Sequence, residues 1–242
     1  MPGVLLEDST WVEAQAFLTP EAVVVVPLGA AAKEHGPHLK LNNDWIIAEY
    51  LKQRVLAVSD VVVAPTLGYH FYPAFVEYPG SVSLRLETAR DLVVDICTSL
   101  AAFGPRRFYV LNTGVSTVRP LEAAADALAP QGIRLHYTDI LAVGGEAVKQ
   151  VEQQPAGTHA DEIETSIMLH IAPHTVDMRH AARDIHSGTG RFTRTAGAAG
   201  IYSPSGIYGD ATLAAREKGE RVVEAMVRGI LADVERLRAL PL

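Results

Sequence analysis

Two imidazoles and two carboxylates fall within one short run, Glu34-His35-Gly36-Pro37-His38, closed by Asn43-Asp44. His35 and Asp44, nine residues apart across the loop, suit one divalent cation. Zinc and similar ions accept imidazole nitrogen and carboxylate oxygen together, and loop ligands converge easily. Gly36 and Pro37 fix a turn behind His35 and limit its freedom before any ion arrives. Alone, this pair is a weak signal, because a loop histidine bonded to a neighbour would account for it.

A second group, Thr158-His159-Ala160-Asp161-Glu162-Ile163-Glu164, opens a helical pattern with Ile163, Ile167, Met168 and Ile171 on one face. Beside Ile163, Glu164 is expected to be a partly buried carboxylate, which needs a cation or several donors. Asp161 and Glu162 read instead as residues favouring a helix N-terminus. A third candidate, His70, stands among Tyr69, Phe71, Tyr72 and Phe75. A replacement ligand or acid/base and a histidine stacked in an aromatic cluster are equal readings of it.

The elements that must position these groups are legible as alternating runs. Ala22–Val26, Val61–Ala64, Phe108–Leu111 and Ile133–Tyr137 read as strands; Asp44–Val58, Glu87–Phe103 and Val118–Leu128 read as helices. Such alternation predicts an α/β fold, a mostly parallel sheet covered by helices on both faces. Gly68–Gly80 and Arg183–Ser205 are long irregular stretches, and long loops in a compact domain are usually functional. A last helix is expected over Ala211–Leu237. Nothing marks an internal boundary, so residues 1–242 read as a single domain.

Bulk properties narrow the class. The 242 residues are 48% apolar and 20% charged, which describes a globular chain. A net charge of −7 and the lack of a basic run argue against nucleic acid as a partner. The lone cysteine, Cys97, excludes an intrachain disulfide framework and reads as a small buried hydrophobe. The N-terminus lacks a signal-peptide pattern and no stretch reaches membrane-spanning length, so a cytoplasmic location is expected.

The run from Pro27-Leu28-Gly29 through Lys33-Glu34-His35-Gly36-Pro37-His38-Leu39 to Asp44 resembles the creatininase (creatinine amidohydrolase) signature, P-x-G-S-x-E-Q-H-G-P-H-L-P-L-x-T-D. His159-Ala160 through Glu164-Thr165-Ser166 is similar to its H-A-G-x-x-E-T-S. Tyr78-Pro79-Gly80-Ser81-Val82-Ser83-Leu84 and Gly206-Ile207-Tyr208-Gly209-Asp210-Ala211-Thr212 match two further motifs in the same order. The resemblance implies a creatininase-like fold, a metal centre at the strand ends, a small-molecule substrate, and a homo-oligomer, hexameric in the family. Typical members hold two ions bridged by the signature aspartate, here Asp44. His35 matches a ligand of one ion, Glu164 a carboxylate near it, and His159 a histidine that shuttles protons. His38 is expected to orient His35 or the loop.

Two positions depart from the pattern. Lys33 stands where the family has a ligand glutamate, with Glu34 displaced by one, and Gly114 stands where it has a ligand histidine. Both losses fall on the same ion, so a divergent subgroup with one ion on His35, Asp44 and Glu164 is expected. Zinc is the first choice, with manganese and iron as alternatives. His159, Glu34 and His70 are the candidate proton carriers. The expected activity is metal-dependent hydrolysis of a small, cyclic amide. Ring opening of a sugar-like ketone or lactone, and a non-catalytic binding homologue, are the alternatives.

Overall fold

Successive valines of one strand point to opposite faces of a sheet, and this alternation divides the core. In β2 (Val23–Leu28), Val23 and Val25 face one apolar cluster, whereas Val24, Val26 and Leu28 face another. The neighbouring β4 (Arg107–Asn112) divides likewise, with Tyr109 and Leu111 on the first side and Phe108 and Val110 on the second. Both strands are buried throughout, as a sheet covered on two faces requires. The structure is a computed structural model that describes residues 2–187 and 190–241. Residues 188 and 189, inside the irregular stretch Arg183–Ser205, lie outside the described residues, as do 1 and 242.

With β1 (Val4–Leu5), β3 (Val62–Val63) and β5 (Arg134–Tyr137), these strands form a parallel sheet of order β1-β3-β2-β4-β5. Helices α2 (Asn43–Val58), α7 (Glu162–Ile171) and α8 (Arg216–Ala239) cover the first face. Helices α1 (Trp11–Phe17), α3 (Leu86–Ala101) and α4 (Val118–Leu128) cover the second. Two short helices, α5 (Ile140–Val143) and α6 (Gly145–Val151), add to the first face. Pro27 is tolerated inside β2 because the β3 pairing stops at Val63, while the full length pairs only with β4. Among the described residues no helix is long and apolar enough to cross a membrane.

The expected strands and helices are present with shifted ends. Helix α3 stops at Ala101, leaving Phe103 69% exposed. The last helix begins at Arg216, because Asp210 caps a separate 3-10 turn over Ala211–Leu213. The stretch Arg183–Ser205 carries β6 (Arg183–Asp184), β7 (Phe192–Thr193) and β8 (Ile201–Tyr202); β6 pairs with β9 (Gly209–Asp210), and β7 with β8.

The strand order reverses direction between β2 and β4. The crevice outside the carboxyl ends of such a pair is where open α/β sheets bind ligands. Gly29, at the end of β2, lies so close to the first turn of α2 that a Cβ would strike the Asp44 carbonyl. That approach carries the Asp44 side chain over the strand ends.

Candidate metal centre and active site

Three segments converge above the crevice: the β2–α2 loop with Lys33, Glu34 and His35, the first turn of α2 with Asp44, and the approach to α7 with His159, bridged to Tyr208, followed by Glu164 in its first turn. Lys33, Glu34, His35, Asp44 and His159 are all buried, and Glu164 keeps 19% of its side chain open.

His35 is fixed from both ring nitrogens. Nδ1 lies 2.8 Å from the Lys33 carbonyl oxygen, which can only accept, so Nδ1 carries the hydrogen. Nε2 lies 2.7 Å from Asp44 Oδ1 and 3.6 Å from Glu164 Oε1. In a neutral ring, Nε2 therefore aims its lone pair at two carboxylate oxygens. Either a second proton or a shared cation relieves that opposition. The donor set of one imidazole nitrogen and two carboxylate oxygens fits a single divalent ion.

The charge balance points the same way. Among the described residues, Glu34, Asp44 and Glu164 crowd this cluster with Lys33 as the fixed positive charge. Burial first, and then the neighbouring Asp44 charge, push the Glu164 carboxyl upward, with His35 and Lys33 opposing. Asp44 goes the other way: burial would raise it, but Lys33 and His35 outweigh burial and hold it well below the usual carboxylate range.

Lys33 does not separate His35 from Asp44. Its Nζ lies 2.7 Å from Asp44 Oδ2, the oxygen turned away from His35. Oδ2 has no aligned hydrogen-bond donor among the described residues, so the Lys33 contact is chiefly Coulombic. The ammonium also sits 5.2 Å from the Phe75 ring centre and 5.7 Å from that of Tyr72, within cation–π range. Despite burial, Asp44 and Glu164 raise the Lys33 pKa, which keeps it charged.

His159 forms the second half of the site. Its Nε2 lies 2.9 Å from Glu34 Oε2, and its Nδ1 3.8 Å from Glu164 Oε2. The ring stacks on Phe75 at 4.0 Å between centres. Gly206, at φ +80°, leaves room for the Glu34 carboxylate; a Cβ there would fall onto it. Among the described residues, one donor atom from each of His35, His159 and Glu164 lies within 4.8 Å of the others, a grouping that leaves out the expected ligand Asp44, so His159 competes with Asp44 for that role.

His70 does not join this cluster. Its Nε2 lies 3.1 Å from the Ala89 carbonyl of α3, and its buried Nδ1 has no partner among the described residues. Burial, partly offset by that carbonyl, lowers it to about 4, so it is a neutral packing group. His38 bonds Thr165 Oγ1 at 2.8 Å and ties the loop to α7 instead of touching His35. Asp161 caps α7 through the Ile163 and Glu164 amides. Buried Glu162 accepts from the Gln153 and Gln154 amides and pairs with Lys218.

Sequence reasoning passed over two supports of Glu164. Asn43 donates to its Oε1 at 3.1 Å, and the Ala160 amide donates to its Oε2 at 2.6 Å. Ala160 is in the left-handed region at φ 49°, a conformation that costs a non-glycine residue roughly 1–2 kcal/mol. No sequence pattern announces it. At the end of β4, Asn112 closes its own loop with bonds to Gly114, Thr117 and Thr138.

Comparison with known proteins gives this geometry a context. The creatininase family model, described as creatinine amidohydrolase, matches residues 7–234. The "Mycofactocin precursor peptide peptidase" of Mycolicibacterium smegmatis is 29% identical over 88% of this chain and 85% of its own. The "Creatinine amidohydrolase" of Pseudomonas putida is 28% identical over 94% of this chain and 95% of its own. A solved creatininase superposes with a TM-score of 0.81, covering 99% of both chains at 24% identity, which bears on the fold.

Proposed function

The chain belongs to the creatininase family of metal-dependent amidohydrolases, and from that premise we propose a single-ion site that opens a small, preferably cyclic, amide. Hydrolysis of amide C–N bonds is the chemistry that the amidohydrolase and peptidase relatives are named for. His35, Asp44 and Glu164 would hold the ion, zinc first, with manganese and iron as alternatives. Bound there, a divalent cation supplies Lewis-acid polarisation of the amide carbonyl and acidifies coordinated water.

The chain's own residues do the rest. Lys33 holds the far oxygen of Asp44, so the second side of that carboxylate already faces a positive charge. Glu34 orients His159. His159, which lines the chamber above the cluster, is the group to pass a proton to the leaving nitrogen.

The observation that carries this reading is the His35 Nε2 atom facing Asp44 and Glu164 oxygens at once. The alternative with a sugar-like ketone is weaker, because a hydroxyl-rich ring would meet mostly apolar walls. Metal analysis with an amide and lactam panel tests the assignment. Purified protein should hold about one ion per chain. Asp44→Asn and His35→Ala should lose it, whereas His159→Gln should keep the ion and lower kcat by about 10²–10⁴-fold. Unchanged turnover in His35→Ala, or no ion after added zinc or manganese, rejects the metal site. Loss of the ion in His159→Gln but not in Asp44→Asn moves the ligand role to His159.

A further inference from the structure

The chamber above the cluster has a volume of about 550 Å³, within the range that encloses most of a drug-sized ligand. Lys33, Thr113, His159 and Glu164 are among its polar lining residues, as are Asp161 and Glu152. Most of the lining is apolar, including Ile163 from α7, Val148 from α6, and Val222 and Met226 from α8. Leu141 and Val115, also lining the chamber, remain 55% and 51% exposed. Apolar surface left open to water beside a reactive cluster is a binding surface.

An aromatic cluster in the lining adjoins His159. Phe192 of β7 meets Phe75 edge-on at 5.4 Å, and Phe75 in turn lies on the His159 ring. The apolar wall thus begins at the imidazole that handles the proton.

We infer that the substrate amide carries a bulky apolar substituent, which fills this chamber while the scissile C–N bond lies against Glu164 and His159. The inference rests on the amidohydrolase reading above and adds the substrate class to it. A polar ring alone would leave most of the apolar wall wet.

The test is a series of lactams and linear amides with alkyl arms of one to six carbons, measured by calorimetric binding and by turnover on the purified protein. Kd and KM should tighten about fourfold per added methylene until the chamber is full. Val148→Trp, which narrows the chamber, should cut the long-arm over short-arm preference at least about tenfold, by the cost of excluding two methylenes. Leu141→Ser, at an exposed position that folding tolerates, should cut it about threefold and keeps the test decisive if Val148→Trp fails to fold.

Hydrolysis of small polar amides with no dependence on arm length, or a preference for hydroxylated arms, overturns the inference and leaves the amidohydrolase reading standing. Length-dependent binding with no amide turned over supports the chamber's preference and sinks the hydrolase reading instead.

Discussion

The ends of β2 and β4 lie side by side, Leu28 opposite Asn112, yet they are built to opposite purposes. Beyond β2 the chain buries Lys33, Glu34 and His35 in a loop whose charges need one another and, by our reading, an ion. Beyond β4 it folds Asn112–Thr117 into a loop that satisfies itself. Asn112 donates to the Gly114 and Thr138 carbonyls and accepts from the Gly114 amide and the Thr117 hydroxyl. Gly114 brings no side chain to the crevice. This site is one-sided: its chemistry belongs to β2 and α7, while β4 supplies a floor. An ammonium on the β2 side faces Asp44 where a second cation would need ligands from both ends.

The largest effect should come from removing that ammonium. Lys33→Met leaves the Asp44 charge buried without its ion-pair partner, a change that typically costs 3–5 kcal/mol. Denaturant unfolding should show a loss of about that size, and added divalent metal should recover part of it by binding the folded state. The converse experiment rebuilds the missing side. Lys33→Glu with Gly114→His places ligand types at both strand ends, and metal content should rise from about one ion per chain toward two. A stability unmoved by Lys33→Met would show that the ammonium does not neutralise Asp44. The one-sided picture would then fail.

Asn112 offers the complementary cut, with a smaller effect. Replacing it by alanine strands the buried Thr138 carbonyl and Gly114 amide, while the Gly114 carbonyl keeps the Thr117 hydroxyl, and a buried group left unsatisfied costs about 1–3 kcal/mol. Asn112→Ala should therefore lower unfolding stability by about 2–4 kcal/mol. Its metal content should stay at the wild-type level, because the side chain touches no proposed ligand. Metal loss without loss of stability would make the β4 end part of the centre and erase the distinction between the two loops.

How much of this was readable follows the physics of each segment. The run of valines in β2 and the apolar stripe of α4 were legible because burial imposes a period on sequence, and α4 is expected and found over Val118–Leu128. His35 and Asp44 were legible as a pair because the turn between them is local. The Glu34–His159 pairing spans 125 positions and leaves no local trace. The ribbons β6 to β9 are two residues per strand, too short for any period. Two capping signals are also present in the sequence. Thr10 and Glu13 form a capping box before α1, and Asp139 caps α5, whose Ile140 lines the chamber. The role of His70 was not decidable from type and neighbours, since only the fold sends its ring toward α3.

His70 gives the finest test, because it belongs to neither strand end and should report stability without reporting chemistry. Burial holds it at about 4 when folded, against about 6.5 for an ordinary histidine. Between those values the unfolded chain binds the proton and the folded chain does not, so stability rises with pH in that window. Its contribution is fully present above about pH 6.5 and is lost as the pH falls to about 4. The slope is at most about 1.4 kcal/mol per pH unit, and the whole loss about 3 kcal/mol. Other groups titrate in the same range, including His38, which burial also lowers to about 4, so the wild-type curve alone does not isolate one ring. His70→Gln keeps a donor for the Ala89 carbonyl and removes the titration. Urea unfolding from pH 7 to pH 4.5 should therefore show a shallower decline in His70→Gln than in the wild type. Turnover at pH 7 should change little, since His70 lines neither the cluster nor the chamber. Parallel declines in the two proteins would mean that the folded ring is already protonated. A collapse of turnover with stability intact would return His70 to the list of proton carriers.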